Sequence, residues 1–305
     1  MDKKNKKVVV TGGAGFIGSY VVKALLEDGC NVSVVDNLLL GRRENVDPRA
    51  TLHVFNICDL DSLKKVFTES SFVFHLAAIP SVPYSIEHPE ETHKANTDGT
   101  HNILLAAKEA RVKRVIFSSS SAVYGEVNSI PIAESVPVTP LSPYGLHKYI
   151  GEEYMKLFSR VYSVETISLR YFNVYGEGQR SEGAYVPVVA KFLDARLLKQ
   201  PMTITGDGLQ TRDFIHVRDV ARANVCTMKA EGVFSGEVIN IGSGENCSVN
   251  AIADMVGGER VHIPPRFEPK NTLADVTLAK KIIAWKPQIF LKEGIISLKK
   301  AYGIA

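Results

Sequence analysis

An α/β fold built on a doubly wound parallel sheet is predicted by three observations. A strand, glycine turn, helix, strand unit runs from Lys7 to Asp36. Short apolar runs then alternate with helical periodicity as far as about residue 170. Beyond Arg170 this alternation loosens into separated pieces, which predicts a smaller, discontinuous C-terminal lobe over the strand ends. A chain of 305 residues with 45% apolar content can bury the large core such a fold needs.

Val8-Val9-Val10 is the first strand, and the turn follows as Gly12-Gly13-Ala14-Gly15-Phe16-Ile17-Gly18. Ser19 to Asp28 carries helical spacing with Val22, Leu25 and Leu26 on one face, and Gly29 ends it. Val32, Val34 and Val35 form the second strand, which Asp36 closes. Leu52 to Phe55 is the third, Phe72 to Leu76 the fourth, and Ala77-Ala78 follow it. A proline-rich connection through Pro89 leads to a helix from about Glu91 to Ala110. Val115-Ile116-Phe117 is the fifth strand, with a polar turn from Ser118 to Tyr124. A helix from about Tyr144 to Tyr162 and a strand from Thr166 to Leu169 complete the regular part. Glycines 176, 178 and 183, the short runs Met202–Thr205 and Val238–Ile241, and Pro264-Pro265 belong to the looser lobe.

Composition narrows the function. The net charge is only +3, and Lys3, Lys4, Lys6 and Lys7 read as a solvated tail, so nucleic acid is not an expected partner. No run approaches a membrane span and three valines make no secretory h-region, which points to a cytoplasmic protein. Cys30, Cys58, Cys226 and Cys247 lack C-x-x-C pairing, so neither a disulfide frame nor a zinc site is expected. His75 and His216 lie in apolar runs and read as satisfied structural residues rather than metal ligands.

The turn satisfies both G-x-G-x-x-G (13, 15, 18) and the wider G-x-x-G-x-x-G (12, 15, 18). Its glycines let backbone N–H groups approach a pyrophosphate at a helix N-terminus. Such a motif alone also fits an ordinary tight turn, but Asp36 stands 18 residues past Gly18, where a carboxylate grips both ribose hydroxyls of an adenosine. Asp36 would repel a 2′-phosphate and Asn37 follows it, so the expected cofactor is NAD. Asp59 fits either of two roles, a partner for the adenine amino group or the cap of a helix from Leu60 to Phe67.

Tyr144 and Lys148 stand four apart and share a helix face. A neighbouring cation favours a phenolate, and Ser120 lies in the polar turn where its hydroxyl can share a substrate oxygen. Tyr-x-x-x-Lys alone is common on helices; the convergence with Ser120 and the cradle at one sheet edge gives it meaning.

On these residues the chain resembles the extended short-chain dehydrogenase/reductases, specifically nucleotide-sugar epimerases of the UDP-hexose 4-epimerase type. The matching motifs run in order along essentially the whole length: the glycine turn, Asp36-Asn37, Asp59-Leu60, His75-Leu76-Ala77-Ala78, Ser118-Ser119-Ser120, Val123-Tyr124-Gly125, Tyr144 to Lys148, Arg170-Tyr171-Phe172-Asn173 and Arg212 to Asp219. The resemblance implies a Rossmann fold with an NAD-binding domain of residues 1–171 and 209–236, and a UDP-sugar-binding lobe of 172–208 and 237–305. It implies Ser120, Tyr144 and Lys148 as catalytic residues, the serine chosen by its place four before Tyr124. For NAD it implies Gly12, Gly15, Phe16, Ile17, Gly18, Asp36, Asn37, Asp59, Leu60, Leu76, Ala77, Ala78, Asn96, Ser118, Tyr144, Lys148 and Phe172. For the UDP-sugar it implies Ser120, Asn173, Arg212, Arg266, Glu268 and Thr272, the segment around Arg266 being one residue shorter than the family spacing.

The implied reaction is epimerisation at C4 through a 4-keto sugar, with Tyr144 taking the hydroxyl proton. Dehydration would need an Asp-Glu pair after the active-site hydroxyl, where Ser121 and Ala122 stand instead. UDP-glucuronate epimerases share the serine turn and remain an alternative, as does a non-catalytic NAD-sensing module. Thr272 replaces the bulky tyrosine that excludes N-acetyl groups in the family, and Ser81-Val82-Pro83 and Gly183-Ala184-Tyr185 resemble members acting on N-acetylated sugars, so both UDP-glucose and UDP-N-acetylglucosamine are expected to fit. The helices near 91–110 and 144–162 resemble those that pair in a homodimer; the apolar stripe of the second, Ile150, Tyr154, Leu157, Phe158 and Val161, would equally serve burial within one subunit.

Overall fold

A computed structural model describes residues 6–127, 129–179, 187–265 and 269–304. Seven strands form one sheet in the order β10-β6-β5-β4-β1-β2-β3, every neighbouring pair parallel. They are β1 (Lys7–Thr11), β2 (Asn31–Asp36), β3 (Thr51–Val54), β4 (Phe72–His75), β5 (Arg114–Ser120), β6 (Glu165–Tyr171) and β10 (Ser235–Ile241). The order reverses between β1 and β4, so a crevice opens at their carboxyl ends.

Burial on both faces follows from the strand sequences. Side chains alternate, and Val8 and Val10 enter one apolar layer while Val9 enters the other, all three with no exposed surface. The first layer holds α1 (Phe16–Glu27) and α8 (Val217–Lys229); the second holds α2 (Leu60–Phe67), α5 (Gly99–Glu109) and α6 (Pro143–Tyr162). Each buried valine is worth roughly 1.5–3 kcal/mol of transfer free energy, so the two layers anchor the cradle firmly.

Local elements differ from expectation in identifiable places. The helix expected from Ser19 begins at Phe16, putting Phe16 and Ile17 in its first turn. The connection before Pro89 contains α3 (Val82–Glu87), with Ser81 as N-cap accepting from the Tyr84 N–H and proline in the first turn. The next helix runs as α4 (Pro89–His93), a π-helical turn over Lys94–Asp98, and α5.

The smaller lobe contains a three-stranded sheet, β11-β9-β7, made from β7 (Asn173–Tyr175), β9 (Thr211–His216) and β11 (Asn246–Ser248). A parallel pair, β8 (Met202–Thr205) and β12 (Arg260–Ile263), joins α7 (Val188–Leu197), α9 (Val249–Val256) and α11 (Leu291–Ala301) around their own core. Two expected boundaries are therefore corrected. Val238–Ile241, assigned to the lobe, is the edge strand of the main sheet, and β9, assigned to the main domain, belongs to the lobe's sheet. Arg114 supplies the physical reason for the first: buried and paired with Glu165, its guanidinium gathers the carbonyls of Thr227, Ala230 and Gly232 and steers the chain into β10 beside β6. The helix α10 (Thr277–Ile283) and the wholly buried Trp285 also pack on the main domain, the indole donating to the Asp219 carbonyl. Among the described residues, no helix is long and apolar enough to cross a membrane.

Candidate active site

The glycine turn is shaped by close backbone approaches. Gly12 has φ +73°, and a Cβ there would lie 2.6 Å from the Ala77 nitrogen and 2.9 Å from the Leu76 carbonyl carbon. A Cβ on Gly18 would sit 2.0 Å from the Gly12 carbonyl oxygen. A Cβ on Gly15 would meet only that same oxygen, at 3.2 Å. Turn and β4 terminus are thus brought together, and the floor beside Gly15 stays open to a ligand's pyrophosphate, so the cradle fits a dinucleotide.

Asp36 ends β2 next to this turn, accepting from the Ala14 N–H at 3.0 Å and the Leu38 N–H at 2.9 Å. Each carboxylate oxygen keeps a lone pair for a further donor. Asn37 is exposed and accepts from the Leu39 N–H. Of the two roles open to Asp59, the helix cap is present: its carboxylate accepts from the Ser62 N–H and hydroxyl, with Leu60 as the first residue of α2. The Asn96 amide exchanges two hydrogen bonds with the Ile79 backbone, at 2.8 and 3.1 Å, holding the loop that carries Ala77 and Ala78.

Beneath that loop lies a directed chain of hydrogen bonds. Thr100 donates to the Asn96 carbonyl and so accepts from His75 Nε2–H; Thr11 accepts from the Ala77 N–H and donates to His75 Nδ1. His75 is thereby a neutral structural residue, and His216 caps α8 through Nδ1. Both are satisfied, as their apolar settings predict. Burial pushes the His75 imidazole down to about 3, with Lys148 adding to it. A depressed histidine means the unfolded chain binds the proton first, so this contribution is complete above about pH 6.5 and is lost as pH falls. By pH 5 the loss amounts to roughly 2 kcal/mol. The melting temperature should therefore fall between pH 7 and pH 5, and less steeply for His75→Gln; parallel slopes for the two proteins would contradict the assignment.

Ser118, Ser119 and Ser120 are the last residues of β5 rather than a turn, and Ser120 caps the short 3-10 turn that follows, accepting from the Ala122 N–H. Ser142 caps α6, whose first turns present Tyr144 and Lys148 toward the end of β5. Lys148 is buried and donates to the Ser118 carbonyl at 2.7 Å; its ammonium nitrogen lies 5.9 Å from the Tyr144 ring centroid. Burial raises the Tyr144 phenol to about 12, with a hydrogen bond to Ser120 pulling the other way. Burial likewise lowers the Lys148 ammonium to about 7, opposed by Glu152. The expected pull of the neighbouring ammonium toward a phenolate is thus opposed by burial, which pushes each of the two groups toward its neutral form.

Phe172 is buried against Tyr124 beyond the end of β6. Asn173 and Arg212, far apart in sequence, line one cavity of about 110 Å³ in the smaller lobe. Arg212 donates to the Thr211 and Lys270 carbonyls from one terminal nitrogen, and Asn173 donates to the Asp213 carbonyl. Thr272 is hydrogen-bonded to the same strand, its backbone N–H to Thr211 and its hydroxyl to the Asp213 N–H. Val188, Lys191, Thr205 and Gln210 line this cavity too and were not anticipated. A cation at Lys191 on the helix after Pro187 was the one signal available. Arg266 and Glu268, with Gly183, Ala184 and Tyr185, lie outside the described residues.

A glycine cradle at the sheet's switch point, with Ser120 ending β5 and Tyr144 and Lys148 in the first turns of α6, is the arrangement expected of a dinucleotide-dependent short-chain dehydrogenase/reductase. Residues 8–242 match the NAD dependent epimerase/dehydratase family, and the chain belongs to it. It is 38% identical to the Thermotoga maritima UDP-glucose 4-epimerase solved with UDP-glucose (TM-score 0.91), covering 97% of this chain and 99% of that one. A UDP-N-acetylglucosamine 4-epimerase of Methanobrevibacter ruminantium, solved with UDP-N-acetylmuramic acid, is 36% identical with TM-score 0.91 over 98% and 99%. The Thermus thermophilus UDP-glucose 4-epimerase in complex with NAD is 32% identical, TM-score 0.89, over 97% and 99%. The α/β fold, the epimerase family and its NAD dependence are as the sequence predicts.

Proposed function

We propose that this protein interconverts the C4 epimers of UDP-hexoses, acting on UDP-glucose and UDP-galactose and on their N-acetylated counterparts. The observation that carries this reading is the meeting of Ser120, Tyr144 and Lys148 where the end of β5 packs on the start of α6; the cavity lined by Asn173 and Arg212 in the smaller lobe supports it with groups suited to a nucleotide. NAD, when bound, supplies a reversible two-electron acceptor for the hydride at C4. Gly12, Gly15, Phe16, Ile17 and Gly18 would hold its pyrophosphate, Asp36 its adenosine ribose, and Leu76, Ala77, Ala78, Asn96, Ser118 and Phe172 would border its other half. Asn37, Asp59 and Leu60 border the adenosine end.

Tyr144 takes the proton of the sugar 4-hydroxyl and returns it. A phenol near 12 is a weak base at neutral pH, so proton removal depends on positive charge nearby, which Lys148 supplies when protonated. Ser120 donates to the same substrate oxygen. Arg212 holds the diphosphate, its planar fork matching paired phosphate oxygens, with Asn173 beside it; Arg266 and Glu268 complete the nucleotide site in this reading.

Chromatography of UDP-glucose and UDP-N-acetylglucosamine incubated with the protein and NAD tests the reading: both should reach equilibrium with their 4-epimers. Conversion of UDP-glucuronate alone would transfer it to that substrate, and NAD binding without turnover of any of the three would reduce it to a sensing module. Thr272→Tyr should lower turnover of the N-acetylated pair at least tenfold relative to UDP-glucose, through the added bulk. An unchanged ratio would show that Thr272 does not border the acetamido group. We further propose a homodimer through α5 and α6; on α6 Leu157 and Val161 of the expected stripe are exposed together with Leu146, while Phe158 is buried within the subunit. Sedimentation at the monomer mass would remove the dimer.

A further inference from the structure

One turn further along the Tyr144–Lys148 face of α6 lies a polar cluster that the mechanism above does not use. Glu152 is one helical turn beyond Lys148 and has no exposed surface. Arg170 from β6 reaches it with two bonds, Nε to Oε1 at 2.8 Å and Nη2 to Oε2 at 2.6 Å. Ser119, whose neighbour is Ser120, donates to Oε1 at 2.5 Å. The Arg170 guanidinium also lies 4.5 Å over the Tyr124 ring, and the Tyr124 hydroxyl donates to Asn240 on β10. One carboxylate thus ties together α6, which carries the base, β5, which carries the serine, and β6.

We infer that Glu152 is a positioning residue of the active site: its carboxylate, clamped by Ser119 and Arg170, fixes the end of β5 against α6 and favours the ammonium form of Lys148. A buried ion pair is poor evidence of stability, because replacing both partners by apolar groups is often neutral or stabilising. Its location is therefore better explained by what it does to its neighbours. Lys148 is faced by Tyr144, His147 and Glu152 on its own helix, by His75 on β4 and by Phe117 on β5, while Arg170 on β6, stacked on Tyr124, is bonded to that same Glu152. His75 and His147 are held neutral by burial, which pushes them down to about 3 and about 4. Tyr124, Tyr144 and Tyr171 are held as phenols. Glu152 is the one anion in this set, and Arg170 the one other cation. Removing only the carboxylate takes away the anion next to Lys148 and leaves the Arg170 guanidinium uncompensated in the same desolvated cluster, and both active-site groups then lose protons more readily.

The role rests on the epimerase reading for its catalytic consequence but not for its first test. In protein labelled with ¹⁵N-lysine, with Lys148→Met to assign the resonance, the Lys148 titration midpoint should fall by about one pH unit or more in Glu152→Gln. In turnover of UDP-glucose, both limbs of the pH–kcat profile should move to lower pH in the same variant. A carboxylate that only braced the fold would lower the plateau and leave midpoint and limbs in place, and that result overturns the inference. Should Glu152→Gln fail to fold, Glu152→Gln/Arg170→Met, with both charges removed together, takes its place. Its Lys148 midpoint should fall in the same direction by less, because the nearer carboxylate is gone along with the farther guanidinium; a midpoint equal to wild type overturns the inference. Absence of turnover in the wild type would defeat the epimerase reading while leaving the lysine titration to decide the role of Glu152.

Discussion

Tyr144→Phe should fold, bind NAD and lose epimerisation by about a thousandfold or more. The substitution deletes one oxygen from a ring that otherwise remains in place at the start of α6. The loss falls within the range for removing a positioned general acid–base group, about 10²–10⁴-fold, and toward its upper end because one atom serves both the forward and the return proton transfer. Ser120 still accepts from the Ala122 N–H, and only its own O–H loses a partner. The cost in stability is limited to one phenol–serine hydrogen bond, roughly 1 kcal/mol. Steady-state turnover of UDP-glucose, read beside melting temperature and an NAD titration, separates chemistry from folding. Turnover within tenfold of wild type in a protein that binds NAD normally would mean that another group carries the proton. Lys148 would then be the first candidate, since burial brings it to about 7.

The parts of this site that could be read in the sequence are those whose geometry is local. The cradle is a seven-residue turn, and Asp36 follows it by the length of one helix and one strand. Tyr144 and Lys148 are related by a single helical turn. Their environment was less accessible, because it depends on what packs around them: the spacing gives the proximity of an ammonium and a phenol but not the desolvation that pushes each away from its charged form.

Long-range pairing accounts for the remaining differences. Ser235–Ile241 has the same apolar alternation whether it edges the main sheet or forms part of the lobe, and its place beside β6 is set by Arg114, more than a hundred residues earlier. Glu152 and Arg170 look like ordinary charges on a helix and a strand until the fold buries them against Ser119. Lys191, Thr205 and Gln210 come from three separate elements or connections and meet only around the lobe's cavity. By contrast α3 was signalled locally, by Ser81 and Pro83, within a proline-rich stretch that reads as loop.

Gly18→Ala should cost both stability and cofactor affinity, although alanine is the better helix former by about 1 kcal/mol. The position is the third residue of α1, and the added Cβ would lie 2.0 Å from the Gly12 carbonyl oxygen and 2.8 Å from both the Gly12 carbonyl carbon and the Gly13 Cα. All three are backbone atoms, so no side chain can swing aside; helix and turn must separate instead. That same carbonyl accepts the Gly15 N–H at 3.1 Å, and the Gly12 N–H is bonded to the Val35 carbonyl at 2.8 Å, so a displaced turn breaks bonds tying the cradle together and to β2. Overpacking of this kind costs about 1–3 kcal/mol, occasionally more, and the severity of this contact puts the net loss near 2 kcal/mol after the helix preference is subtracted. NAD affinity should drop at least tenfold, because the N–H groups at the start of α1 would no longer converge on one pyrophosphate. Gly15→Ala is the graded comparison: its Cβ meets the same oxygen at 3.2 Å, so it should melt closer to wild type while still obstructing the pyrophosphate. Thermal unfolding without cofactor and calorimetric titration with NAD measure the two effects separately. A Gly18→Ala protein that melts and binds NAD like wild type would show that the turn does not need the close approach on which this account of the cradle is built.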